Sequence, residues 1–178
     1  MNNKWLSLVA VLILVFLVRM DYKNQELSER IDRIEHIIIN TGYRVTYTKH
    51  DVECLAKNIY YEAGIENDLG KYAVAQVTIN RLKAGYWGKT VCKVVYAKAQ
   101  FSWTLKQKLP KPDVNLYEKC HDIAVAALEG KGIKGLDRSL FYHADYIPAP
   151  NWVDINHYAT QLGKHIFYNR ARGSNLYI

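Results

Sequence analysis

Glu62 lies in the run Asn58-Ile59-Tyr60-Tyr61-Glu62-Ala63-Gly64-Ile65-Glu66, where helical spacing gives way to a glycine. A carboxylate in the last turn of a helix meets the partial negative charge of the helix carboxyl end. The tyrosines beside it reduce its solvation. Both effects raise a carboxyl pKa, as general acid catalysis near neutral pH requires. The competing reading is a surface glutamate on a helix. Glycosidases that work with two carboxylates need a second one roughly 5–10 Å from the first. Glu66, Asp68, Asp145 and Asp154 are candidates, and their spacing selects none of them; Glu66 equally suits the cap of the next helix. Gln76 and Asn80 lie four apart, on one face of a helix, where amides can hydrogen-bond sugar hydroxyls or acetamido groups. Phe101, Trp103, Tyr142, His143 and Trp152 supply rings for stacking on a sugar, although such rings more often fill a core.

Other chemistries find less support. Cys120 and His121 are adjacent in a predicted helix, so their side chains diverge, whereas a cysteine nucleophile needs its histidine in contact. The sequence has no CxxC, no zinc-spaced Cys/His cluster, no HExxH, no GxSxG and no glycine-rich phosphate loop. The net charge of +7 favours acidic partners. Its dispersal, with no dense Lys/Arg block, argues against nucleic acid. The three cysteines, Cys54, Cys92 and Cys120, fit one disulfide with a free thiol in an exported domain, or three buried thiols.

These residues need elements to position them. Thr48 and Asp51 form a capping pair that opens a helix from Lys49 to Ala63, with Gly64 expected as a left-handed stop. Asn67 or Asp68 starts a second helix reaching about Leu82, with Arg81 and Lys83 suiting its negative end. A third helix is expected over Val91–Ala99. A fourth opens at Asp113 and stops near Gly130. Gly132 and Gly135 suggest a turn, Ser139–Tyr146 a strand, and Ile166–Tyr168 a last short strand. The pattern is a mostly helical α+β domain over 48–178.

Two segments precede it. Trp5–Val18 are apolar apart from Ser7, with Lys4 before and Arg19 after. Fourteen residues are short for a spanning helix, but snorkelling flanks extend the reach. Residues 1–20 are therefore read as a signal-anchor, placing the domain on the exported side of the cytoplasmic membrane, with secretion after cleavage as the alternative. Residues 21–47 read as a helical stalk and linker. Its helix runs from Asp21 to Asn40 and stops at Thr41-Gly42. Leu27, Ile31, Ile34 and Ile38 form one narrow seam, suited to weak dimerisation through 27–38 or to packing on the domain.

In order and spacing, several blocks resemble the SleB-type cell-wall hydrolase family. They are Glu53–Ala63, Ala73–Arg81, Thr90–Tyr96, Gln100–Trp103, Phe141–Ala144, Trp152, Gly163–His165 and Phe167-Tyr168. The resemblance implies a small lysozyme-like, lytic-transglycosylase-like fold and cleavage of peptidoglycan between N-acetylmuramic acid and N-acetylglucosamine. It places the family's catalytic glutamate on Glu62 and implies no metal or cofactor. The family usually reads Glu-Ala-Arg-Gly-Glu, and this chain reads Glu62-Ala63-Gly64-Ile65-Glu66, without the arginine. Two alternatives stay open: a muramidase that uses water, with Glu66 or Asp145 as second carboxylate, and a non-catalytic, membrane-anchored peptidoglycan-binding module.

Overall fold

In the computed structural model, which describes residues 3–40 and 44–170, the chain divides into a unit ending at Ile37 and another beginning at Ile38. The first is one helix, α1 (Asn3–Ile37), whose side chains from Leu8 to Arg30 are all exposed. Among the described residues no helix is long and apolar enough to cross a membrane, so the structure does not bear out the expected spanning segment. The side chains of Trp5, Leu6 and Ser7, part of that expectation, lie outside the described residues. The expected stalk helix is also corrected. It ends at Ile37, and Ile38–Asn40 form a strand, β1, as three consecutive β-branched isoleucines favour. Of the seam, Leu27 is exposed. The side chains of Ile31, Ile34 and Ile38, and the expected stop at Thr41-Gly42, fall outside the described residues.

The second unit is a helical body with a small sheet. Helix α2 (Lys49–Ala63) opens on the expected capping box, in which Thr48 Oγ1 accepts from the Asp51 N–H and the Asp51 carboxylate accepts from the Thr48 N–H. Gly64 is right-handed, with φ −55°, rather than the left-handed stop expected. Helix α3 (Asp68–Ala84) is capped by Asn67 and closed by left-handed Gly85. Helix α4 is only Val91–Val95, shorter than expected, and a 3-10 turn follows over Ser102–Leu105. Helix α5 (Val114–Leu128) is capped by Asp113.

Strand β2 (Lys131–Ile133) occupies the expected glycine turn and pairs antiparallel with β1, Ile39 opposite Gly132. Strands β3 (Ser139–Ala144), β4 (Tyr158–Leu162) and β5 (His165–Asn169) form an antiparallel sheet in the order β3-β5-β4. A register shift falls between Ser139 and Phe141. β4, β1 and β2 have no counterpart in the sequence reading.

Two buried clusters share α3. One joins α2, α4 and α5 around Leu55, Ile59, Ile79, Val95 and Leu128. The other packs Ala73 and Val77 of α3 on Phe167 of β5 and on Ile133 and Leu136. α3 is therefore buried nearly all round. A disulfide joins Cys54 of α2 to Cys92 of α4, and Cys120 is buried and free. The bridge closes a separation of 38 residues, for which the chain-entropy treatment gives about 4 kcal/mol. Urea unfolding of Cys54→Ser/Cys92→Ser beside the oxidised wild type should show a loss of this order; a difference below about 1 kcal/mol would mean the bridge does little to constrain the unfolded chain.

Candidate active site

Glu62 closes the last turn of α2, half-buried, and its Oε2 accepts a hydrogen bond from the Tyr142 hydroxyl of β3 at 3.0 Å. Burial is the largest influence on its carboxyl and raises its pKa. The Tyr142 hydrogen bond and the charges of Arg81 and Lys106 pull the other way without cancelling the rise. Burial, followed by the charge of Glu62, holds the Tyr142 phenol well above its ordinary value. Tyr142 is thus a fixed donor and Glu62 a carboxyl inclined to keep its proton.

Arg81 completes the site. It is buried, with Nε donating to the Leu140 carbonyl at 2.8 Å. Its guanidinium carbon lies 5.0 Å from the Phe101 ring centre and 5.4 Å from that of Trp87, within cation–π range. Its Nη1 is buried with no hydrogen-bond partner. The sequence reading took Arg81 only as a charge suited to a helix end. The signal for more was present. Arg81 stands seven residues after Val74 and four after Val77, and so continues the apolar stripe of α3. A cation on a core-facing stripe calls for a specific partner.

The other candidates are distributed differently. Trp103 and Phe101 are buried. Trp103 Nε1 donates to Asn58 Oδ1 at 2.9 Å and its ring packs on Tyr61, 5.0 Å between centres. These two rings build the site from beneath and are not open stacking platforms. Gln76 and Asn80 are buried amides held by backbone groups of the segment 133–139. The Ile133 N–H donates to Gln76 Oε1, and Asn80 Nδ2 donates to the carbonyls of Leu136 at 2.7 Å and Ser139 at 2.9 Å. Both line a cavity of about 350 Å³ with Lys83 and Arg138, on a different face of α3 from Arg81. His143 is buried: its Nδ1 bonds the Ala144 carbonyl at 2.8 Å and its Nε2 the Tyr168 hydroxyl at 3.0 Å. It stacks on Tyr168 with Trp152 against its edge. Adjacent residues of a strand point to opposite faces, so His143 turns away as Tyr142 turns toward Glu62. Trp152 is half exposed on that other face.

Neither proposed second carboxylate pairs with Glu62. Asp145 is exposed and accepts from Gln161 Nε2 at 3.0 Å. Glu66 accepts from the Lys164 N–H at 3.3 Å, in the turn between β4 and β5. Both act on His165, whose pKa burial lowers and these two carboxylates partly restore. Among the described residues, the grouping with metal-ligand geometry is His50, Cys54 and Cys92, and its two thiols are joined in the disulfide.

The mostly helical domain holds a half-buried carboxyl against a tyrosine and within the influence of a buried arginine, and comparison with known proteins gives it a family. Residues 65–168 match the Cell Wall Hydrolase family, and the chain belongs to it. The match begins three residues after Glu62. The spore cortex-lytic enzyme of Oceanobacillus iheyensis is 27% identical over 122 residues, covering 68% of this chain and 42% of that protein. The one from Bacillus cereus is 27% identical over 124 residues, covering 68% and 45%. The chain thus spans less than half the length of these curated relatives. Among solved structures, the catalytic domain of the Bacillus cereus SleB protein is matched with TM-score 0.60 and 25% identity, over 72% of this chain and 97% of that one. The catalytic domain of the germination-specific lytic transglycosylase SleB from Bacillus anthracis is matched with TM-score 0.56 and 24% identity, over 71% and 100%. The expected mostly helical α+β domain of this family is borne out; the membrane helix expected before it is not.

The raised pKa of Glu62 carries a stability consequence. Its folded value lies above its unfolded one, so its contribution is full below the unfolded pKa and is lost as pH rises through the folded pKa. Glu62→Gln should therefore raise the melting temperature at pH 7–8 and leave it nearly unchanged near pH 4. Equal effects at both pH values would show that the carboxyl is not strained by ionisation.

Proposed function

We propose that this domain cleaves peptidoglycan glycan strands between N-acetylmuramic acid and N-acetylglucosamine, as a lytic transglycosylase with Glu62 as its acid. The observation that carries the reading is the Tyr142–Glu62 hydrogen bond on a carboxyl whose pKa burial raises. Glu62 gives its proton to the glycosidic oxygen as the bond from that oxygen to C1 breaks. The carboxylate left behind takes the proton of the muramic acid C6 hydroxyl, whose oxygen attacks C1 and closes an anhydro ring. One carboxylate serves both steps. This suits a site in which Glu66 accepts from the Lys164 N–H and Asp145 from Gln161 Nε2, not from groups at Glu62. Tyr142 and Arg81 steady the charge that appears on Glu62 between the steps. A muramidase mechanism with a second carboxylate gains no support from that arrangement.

The names of the relatives, spore cortex-lytic enzymes, agree with a wall substrate. The catalytic domain is read as residues 48–178. Action on the wall requires export, with which the Cys54–Cys92 disulfide is consistent. The exposed apolar run Leu8–Val18 is read as the segment that brings the chain to the membrane, as an anchor or as a cleaved signal. Half-exposed Trp152 is the remaining ring candidate for a sugar contact.

Purified sacculi digested with wild-type protein should give fragments ending in 1,6-anhydro-muramic acid by mass spectrometry; reducing ends would make the enzyme a hydrolase. Glu62→Gln keeps the shape and removes the acid, and should lower the rate of release roughly 10²–10⁴-fold. A variant that clears sacculi at nearly the wild-type rate refutes the assignment of Glu62.

A further inference from the structure

Glu66 is held by two glycines. Its stem passes over Gly70 in the first turn of α3, where a Cβ would come within 2.8 Å of Glu66 Cβ. Its carboxylate fills the space beside Gly163 in the β4–β5 turn, where a Cβ would lie 1.9 Å from Oε2 and 2.8 Å from Cδ. Gly163 is left-handed, φ +58°, so the turn wants glycine for its backbone and leaves a side-chain space that Glu66 occupies. The Lys164 N–H donates to the same Oε2, and Lys71 Nζ donates to the Glu66 carbonyl. The Asp145 N–H donates to the Lys164 carbonyl at 2.9 Å, which ties the turn to the end of β3.

The residue after Lys164 is His165, buried, with no hydrogen-bond partner for its Nδ1. Packing therefore matters to the placement of its ring. The ring meets that of Tyr142 edge-on, 5.1 Å between centres at 86°, and Tyr142 carries the hydroxyl that bonds Glu62.

We propose that Glu66 is a positioning residue: by filling the space beside Gly163 it fixes the turn that sets His165 against Tyr142, and so delivers the Tyr142 hydroxyl to Glu62. The inference rests on the reading of Glu62 as the acid and gives the second glutamate a role in shape rather than in proton transfer. The groups that face Glu62 are Tyr142, Arg81 and Lys106. Those that face His165 are Glu66, Asp145 and His143, with the Tyr142 ring.

The test reads the titration of Glu62 by carboxyl ¹³C NMR in Glu66→Ala, Gly163→Ala, Glu66→Gln, Tyr142→Phe and the Glu66→Ala/Tyr142→Phe double variant. Tyr142→Phe removes a hydrogen bond to the ionised form and should move the Glu62 midpoint upward by roughly half a unit or more. Glu66→Ala empties the space and should move it upward too; Gly163→Ala crowds that space and also strains the left-handed turn, and should move it the same way. Glu66→Gln keeps the shape and should stay near wild type. In the double variant the Glu66→Ala change should add nothing to Tyr142→Phe. A downward shift in Glu66→Ala and Glu66→Gln alike would mean simple loss of a neighbouring negative charge, and would overturn the proposal. So would additive shifts, or no shift in Gly163→Ala. The titration needs no turnover. Failure of this inference is thus separate from failure of glycan cleavage, which would appear as wild-type protein that leaves sacculi intact.

Discussion

The second unit is built around the burial of α3. With apolar clusters on two sides, this helix has almost no face on which a polar side chain can reach water, and an unpaired polar group inside costs on the order of 1–3 kcal/mol. Yet it carries Gln76, Thr78, Asn80 and Arg81, all buried. Each has been matched to a different neighbour. Thr78 accepts from Asn58 of α2, Gln76 takes the Ile133 N–H of β2, Asn80 takes the Leu136 and Ser139 carbonyls, and Arg81 takes the Leu140 carbonyl. The apolar surfaces supply the cohesion. The polar side chains tie particular segments to α3, because each is bound to a different one.

The placement of Glu62 depends on the same arrangement. Asn58 lies one helical turn before Glu62 and is bound by both Thr78 and Trp103, so the carboxyl end of α2 is set against α3. Further along the same helix, the Tyr60 hydroxyl accepts from the Asp113 N–H and the Tyr61 hydroxyl donates to the Pro110 carbonyl. The tyrosines that flank Glu62 in sequence thus hold the loop leading into α5. Across the site Arg81, whose charge acts on Glu62, also holds β3, the strand that carries Tyr142. Glu62, Tyr142 and Arg81 are therefore placed by one connected set of contacts rather than by three separate ones.

The helices were legible in the sequence because their signals are local. The Thr48–Asp51 box and the Asn67 and Asp113 caps marked their starts, and α2 matches its expected span residue for residue. Of the strands, β3 and β5 were expected and found, whereas β1, β2 and β4 were missed, the first two because they pair across a long stretch of chain. β1 finds β2 more than 90 positions later, and β4 has a weak alternation that only β5 completes. The site divides in the same way. Glu62 was marked by its place at a helix end, and Tyr142 only as one ring in an aromatic stretch. Composition could not separate rings that fill the core, such as Trp103 and Phe101, from one that reaches the acid. Gln76 and Asn80 look equally suited to a ligand or to a loop backbone until the loop is in place. Arg81 was hidden by its position near a helix end, where a cation has an ordinary explanation.

The register shift between Ser139 and Phe141 gives β3 an extra residue just before its active segment, and the carbonyls there, of Ser139 and Leu140, are the ones α3 captures through Asn80 and Arg81. That irregularity sets the phase of the strand. Because side chains alternate across a strand, the phase alone decides whether a tyrosine or its neighbours, Phe141 and His143, face Glu62. For such a site, gaining or losing one residue is a different kind of change from replacing one. A substitution in β3 alters one contact, whereas a residue inserted or deleted past the bulge, between Phe141 and Tyr142, where the pairing with β5 is regular, would change the phase and present Glu62 with a residue drawn from the other side of the sheet.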